Sequence, residues 1–173
     1  TDVFVSKGGV TYGNALHGGS GGGGGWDGMS SGEYGGDGGG GGGAVRISAS
    51  VNIVIGPSGL VQANGGNGNS KYIRYISDGT LYTLEMYHKG GGGSGGGIQL
   101  EAGSIINNGI ITARGGNSDF GITGKAGGGG GGGRITLYDN DGVISGTAGQ
   151  INVDGGTGFQ SGGQGVVDIY RLY

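Results

Sequence analysis

Gly127-Gly128-Gly129-Gly130-Gly131-Gly132-Gly133-Arg134-Ile135-Thr136-Leu137-Tyr138 is an unbroken glycine block followed at once by an apolar-x-apolar alternation. The alternating tetrapeptide Ile135-Thr136-Leu137-Tyr138 returns as Val45-Arg46-Ile47-Ser48, Ile98-Gln99-Leu100-Glu101 and Val167-Asp168-Ile169-Tyr170, each just after glycine-rich sequence at 35–43, 90–97 or 155–165. Another glycine block fills 18–25. A period of two in Val- and Ile-rich runs signals half-buried β-strands, and no window carries a helical stripe.

Working outward, the first three heads share a tail. Gly59-Leu60-Val61-Gln62-Ala63-Asn64-Gly65-Gly66 aligns with Gly109-Ile110-Ile111-Thr112-Ala113-Arg114-Gly115-Gly116 and with Gly149-Gln150-Ile151-Asn152-Val153-Asp154-Gly155-Gly156. A short middle strand lies between head and tail, at 51–55, 104–107 and 142–145. One repeat is therefore a glycine block, three short strands with tight turns, and a variable loop. Repeats of this kind stack on their neighbours and bury a shared core, which predicts an all-β, glycine-rich β-solenoid-like array. Uninterrupted glycine suits extended threefold polyglycine II-type segments packed side by side.

Glycine supplies 55 of the 173 residues. Each ordered glycine costs roughly 0.5–1 kcal/mol more than alanine, on the order of 30–50 kcal/mol for the chain. Recurrence at one point of the repeat argues that this cost is met by close backbone packing. Collagen is excluded because glycine comes in blocks and Pro57 is the only proline. The net charge of −3 and 12% charged residues give no field for nucleic acid. Cysteine is absent, and no apolar run reaches membrane-spanning length, so membrane insertion is not expected. The chain opens directly on the strand-like Thr1-Asp2-Val3-Phe4-Val5-Ser6-Lys7 and reads as a mature or trimmed polypeptide.

The glycine block with Gly133-Arg134-Ile135-Thr136-Leu137-Tyr138, the tail from Ile105 to Gly116 and the closing Gly165-Val166-Val167-Asp168-Ile169-Tyr170 resemble glycine-rich β-solenoid repeats of large secreted and cell-surface prokaryotic proteins. That resemblance spans about residues 35–173 and implies an extracellular structural or adhesive role without chemistry. The alternation of glycine blocks with variable stretches is also similar to the glycine-rich adhesins at the tips of phage long tail fibres, in which polyglycine helices form a sandwich that presents binding loops. The repeated three-strand unit departs from that second pattern.

The most individual segment is 71–89, two alternating runs around Asp78-Gly79, a two-residue hairpin signal. Pairing Ser77 with Thr80 places Ile73, Tyr75, Tyr82, Leu84 and Met86 on one face and Tyr72, Arg74, Ile76, Leu81, Glu85 and Tyr87 on the other. A hairpin apolar on both faces needs a partner on each: the open side of its own array, or a neighbouring subunit or receptor anchored by Tyr72, Arg74, Tyr75, Tyr82, Met86 and Tyr87. Val3-Phe4-Val5 and the C-terminal strand with Ile169 and Leu172 could pair within the chain or exchange with a neighbour by strand addition. Trp26 could stack on a sugar or plug the end of the array.

These features divide the chain into an N-terminal strand segment, 1–17, and a repeat domain, 18–173, with the hairpin inserted at 71–89. No enzyme is expected: His17 and His88 lack ligand spacing, carboxylates are scattered, and glycine-loop motifs occur by composition alone. Asp139-Asn140-Asp141-Gly142 resembles the start of a calcium loop but lacks the downstream Glu, so an Asx turn is the expected reading and no cofactor is assigned. The expectation is a secreted subunit of an extracellular filament or surface layer, a homo-oligomer joined by strand edges. The alternative is a receptor-binding adhesin, phage or bacterial, reading a glycan or outer-membrane protein with the loops at 26–34, 71–89 and 117–125.

Overall fold

The computed structural model describes residues 5–7, 10–12, 16–25, 35–70, 72–85, 89–118, 127–146 and 149–172, which form thirteen strands and no helix. In chain order these are β1 (Val5–Lys7), β2 (Val10–Tyr12), β3 (Ala44–Ser48), β4 (Asn52–Ile55), β5 (Leu60–Gln62), β6 (Tyr72–Ser77), β7 (Thr80–Glu85), β8 (Gly97–Glu101), β9 (Ser104–Asn107), β10 (Ile110–Thr112), β11 (Arg134–Asp139), β12 (Gln150–Asn152) and β13 (Val166–Arg171).

The aligned heads are hydrogen-bonded neighbours. A parallel sheet runs β13-β11-β8-β3, with Val45, Ile98, Ile135 and Val167 side by side. The tails form a second parallel sheet, β12-β10-β5, that places Leu60, Ile110 and Gln150 in register. The middle strands β4 and β9 pair in parallel, and the third middle segment is reduced to one bridge between Ser145 and Ile106. That shortening has a local cause. Asp139 accepts the Asp141 amide on Oδ1 at 3.1 Å, and Asp141 Oδ1 accepts the Val143 amide at 2.8 Å, so two successive Asx turns consume the chain before it can pair.

In the parallel sheets, alternation turns one face of the strands inward. Ile98, Leu100, Ile105, Ile111, Ile135 and Leu137 are fully buried in a single cluster with Ile53, Ile55 and three alanines. Each large aliphatic side chain there contributes about 1.5–3 kcal/mol by its removal from water. Asp139 is buried among them, and its Oδ2 accepts the Ile105 amide at 2.6 Å. On the outward face of the head sheet, Tyr138 stacks on Tyr170 with ring centroids 5.3 Å apart, and Arg46 pairs with Glu101 at 3.3 Å.

The glycine-rich segments continue this stack. Each tail runs outward as an extended arm, at 63–69, 113–118 and 153–158, and after a connection a second arm returns at 90–96, 127–133 and 162–165 to the next head strand. A repeat thus holds two glycine arms around its loop rather than one block before its strands. Bonds between arms recur every third residue. Gly91, Gly92 and Gly93 donate to Gly23, Gly128 and Gly66, and Ser94, Gly95 and Gly96 donate to Ser20, Gly131 and Ala63. Consecutive residues of one arm therefore address three different neighbours, as a threefold extended chain must. The close approach admits only glycine at most of these positions: a Cβ on Gly92 would fall on the Gly116 carbonyl, and one on Gly130 on the Gly93 carbonyl. The residues that interrupt the blocks fall on the remaining third, where Gly23, Gly40 and Gly43 have nothing within 4 Å of a Cβ; Ser20 and Asp37 share that phase.

Three layers result. The outgoing arms form one, the returning arms at 35–43, 90–96, 127–133 and 162–165 form the next, and among the described residues 18–25 alone lies on the far side of the returning layer, antiparallel to 35–43 through Gly19–Gly42, Gly22–Gly39 and Gly25–Gly36 bonds. The outgoing face is sealed by side chains. Asn64 Oδ1 accepts the Arg114 amide, Asn67 Oδ1 the Asn117 amide and Asn117 Oδ1 the Thr157 amide, each at 2.8 Å.

Candidate functional site

Because every repeat sends its arms out and back in the same direction, the described arm ends gather at the end remote from the strands. The arm ends are bonded to one another there: Gly25 to Gly36, Asn69 to Asp37, Gly90 to Asn69, Gly68 to Asn117, Ser118 to Thr157 and Phe159 to Gly127, at 2.7–3.2 Å. The stretches of sequence between these arm ends, 26–34, 70–89, 119–126 and 159–161, carry most of what does not repeat.

The largest connection holds the expected hairpin. β6 and β7 pair antiparallel with Ser77 opposite Thr80, Ile76 opposite Leu81 and Tyr75 opposite Tyr82. Asp78 and Gly79 turn the chain at φ 52° and 75°, left-handed at both centres, as the tight hairpin turn requires. Ile76 and Leu81 share a face and are 74% and 61% exposed, and Tyr82 on the other face is also exposed. Tyr72, Arg74 and Tyr75 take the register positions expected of them, with Tyr72 opposite Glu85 and Arg74 opposite Thr83. Met86 and Tyr87 lie outside the described residues, as do Trp26, Val3 and Phe4.

The shortest connection adds Phe159, 68% exposed beside the Gly127 end. Composition gave no reason to single it out. The signal was positional: Phe159 follows the third tail where 71–89 follows the first. The termini lie elsewhere. Val5 pairs with Tyr12 in a local β1–β2 hairpin, Ile169 is exposed on β13, and the Leu172 amide donates to the Asp139 carbonyl at 2.8 Å.

Among the described residues no group of three His, Cys, Asp or Glu side chains converges on a metal position, and no helix is long and apolar enough to cross a membrane. Among the described residues Asp141 is the one carboxyl clearly displaced from its ordinary value, held low first by a side-chain hydrogen bond with Asp139 and then by the Val143 amide. Both carboxyls serve the turn that bears them. Compared with protein-family models, curated proteins and solved structures, the chain matches none.

Proposed function

We propose that this chain is an extracellular recognition module of the adhesin type: a short β-solenoid whose polyglycine II-type arms hold a cluster of unlike loops at one end for contact with a cell-surface receptor. The observation that carries the reading is the common platform, with Gly25, Asn69, Asn117 and Phe159 bonded into one end while the intervening loops differ in length and composition. A uniform scaffold under variable tips is how loops acquire a fixed geometry without sharing a sequence. Exposed Ile76, Leu81 and Phe159 are large apolar groups, the type that anchors interfaces when a partner desolvates them. Replacing these three by Ser should abolish binding of the purified protein to its target cells and leave the melting temperature unchanged. Binding that survives the triple change counts against the loop tip as the contact surface.

A filament subunit is the second reading, and the two ends of the strand ladder favour it. Ile47 on β3 and Val167 and Ile169 on β13 have the inward phase of buried Leu100, Ile135 and Leu137, yet all three are exposed because no further strand covers them among the described residues. A β13 edge meeting the β3 edge of a second copy would extend the parallel sheet without closing it. Electron microscopy at neutral pH separates the two readings: long filaments favour the structural subunit, discrete particles that bind cells favour the adhesin.

A further inference from the structure

The returning layer is furrowed, and one furrow is filled. Segment 18–25 lies between arms 35–43 and 90–96, where its amides at Gly19 and Gly22 donate to the carbonyls of Gly42 and Gly39. Its carbonyls at Gly23 and Ser20 accept from the amides of Gly91 and Ser94. The head-strand register, Ala44 beside Gly97 beside Arg134, carries this pattern over by one arm: Gly39 and Gly42 correspond to Gly92 and Gly95, and Gly91 and Ser94 to Gly128 and Gly131.

In that next furrow the corresponding groups have no partner among the described residues. The carbonyls of Gly92 and Gly95 accept no backbone bond and the amides of Gly128 and Gly131 donate none, although the other amides from 129 to 133 all do. The space between them is an open groove of ≈ 450 Å³ walled by 21–24, Gly91, Gly92 and 127–131. The outgoing face closes its equivalent amides with Asn64, Asn67 and Asn117, whereas glycine on the returning face has no side chain to do so. Acceptors and donors thus alternate along the groove with the three-residue spacing that 18–25 uses next door.

We propose that this groove binds an extended polypeptide strand with glycine at every third residue, lying alongside 18–25 and in the same direction. The occupied furrow defines the requirement. A Cβ on Gly19 or Gly22 would fall on the carbonyls of Ser94 and Gly91, so those positions must be glycine. Ser20 is tolerated, Gly23 has nothing within 4 Å, and Gly21 and Gly24 leave 3.5 and 3.7 Å to the nearest atom, so the two residues between successive glycines are free to vary. Partners in a threefold extended conformation pay little entropy to enter, and a proline after each glycine pre-forms it.

The test uses the whole chain and a capped peptide of four Gly-Pro-Ser triplets, followed by NMR titration and by hydrogen exchange. Saturable binding is expected, with at least tenfold slower exchange at the Gly128 and Gly131 amides. A peptide with Ala in place of each Gly should not bind. Gly131→Phe should also remove binding, since residue 131 stands where Ser94 touches Ser20 across the filled furrow, and a Cβ there meets nothing closer than 3.9 Å in its own fold. The proposal is overturned if the glycine peptide fails to bind at millimolar concentration, or if the alanine peptide binds as well. It is equally overturned if Gly128 and Gly131 become protected with rising protein concentration and no peptide, which would assign the groove to a second copy.

Discussion

Two alanine substitutions two residues apart on one arm should have opposite effects on stability. On Gly130 a Cβ would coincide with the Gly93 carbonyl, and because the obstruction is backbone, the arms must separate. Separation sacrifices the bonds that join these two arms, from the Gly92 amide to the Gly128 carbonyl, 3.0 Å, and from the Gly95 amide to the Gly131 carbonyl, 2.8 Å. Two backbone bonds at about 0.5–1.5 kcal/mol each, with overpacking of about 1–3 kcal/mol, give a loss of roughly 2–5 kcal/mol after the unfolded-state gain from alanine is deducted. On Gly128 a Cβ meets only the Gln160 carbonyl oxygen, at 3.6 Å, an ordinary contact. With no donor bond to lose, Gly128→Ala keeps the unfolded-state gain of about 0.4–1 kcal/mol. Differential scanning calorimetry should find Gly130→Ala melting about 5–15 °C lower and Gly128→Ala unchanged or slightly higher, at about 2–4 °C per kcal/mol for a domain of this size. If both variants melt alike, the arms do not pack with the threefold register described, and the explanation of the glycine content falls with it.

Asp139→Ala should cost about 1–3 kcal/mol in urea denaturation, the penalty of a buried donor without an acceptor, because it orphans the Ile105 amide; Asp139→Asn, which retains an acceptor, should cost less. Asn117→Ala should speed exchange of the Thr157 amide while leaving Thr112 protected, a contrast readable by NMR. The depressed Asp141 carboxyl sets a direction with pH. Its folded value lies below its unfolded one, so its contribution is present above the unfolded value and is lost as pH falls through the folded one. Protection of the Val143 amide should therefore persist through the usual carboxylate range and vanish only at more acid pH; loss within that range would show the turn bond to be inert.

Much of the strand register was legible because repeats align residue by residue. Val45, Ile98, Ile135 and Val167, and likewise Leu60, Ile110 and Gln150, are neighbours in space as they are in the alignment. Asp78-Gly79 was legible for a different reason: a two-residue turn leaves the register of β6 and β7 no freedom. The division of glycine into outgoing and returning arms was not, because a glycine run has no side-chain pattern to show its direction. Ser20, Asp37 and Ser94 interrupt the blocks, yet each falls in a phase where its own arm, unlike the neighbouring arms, leaves room for a side chain. The exposed Phe159 could be found only by its place in the repeat, since a lone aromatic between glycines carries no periodicity.

A threefold chain also has a frame. Adding one or two residues to an arm would rotate everything beyond by a third or two-thirds of a turn, driving residues such as Asn67 or Asp37 into backbone that accepts only glycine. Adding three residues to both arms of a repeat would restore every phase and carry its loop about 9 Å farther out, at about 3.1 Å per residue. The reach of each loop is thus adjustable in discrete steps, independently of its neighbours and of the strands behind it.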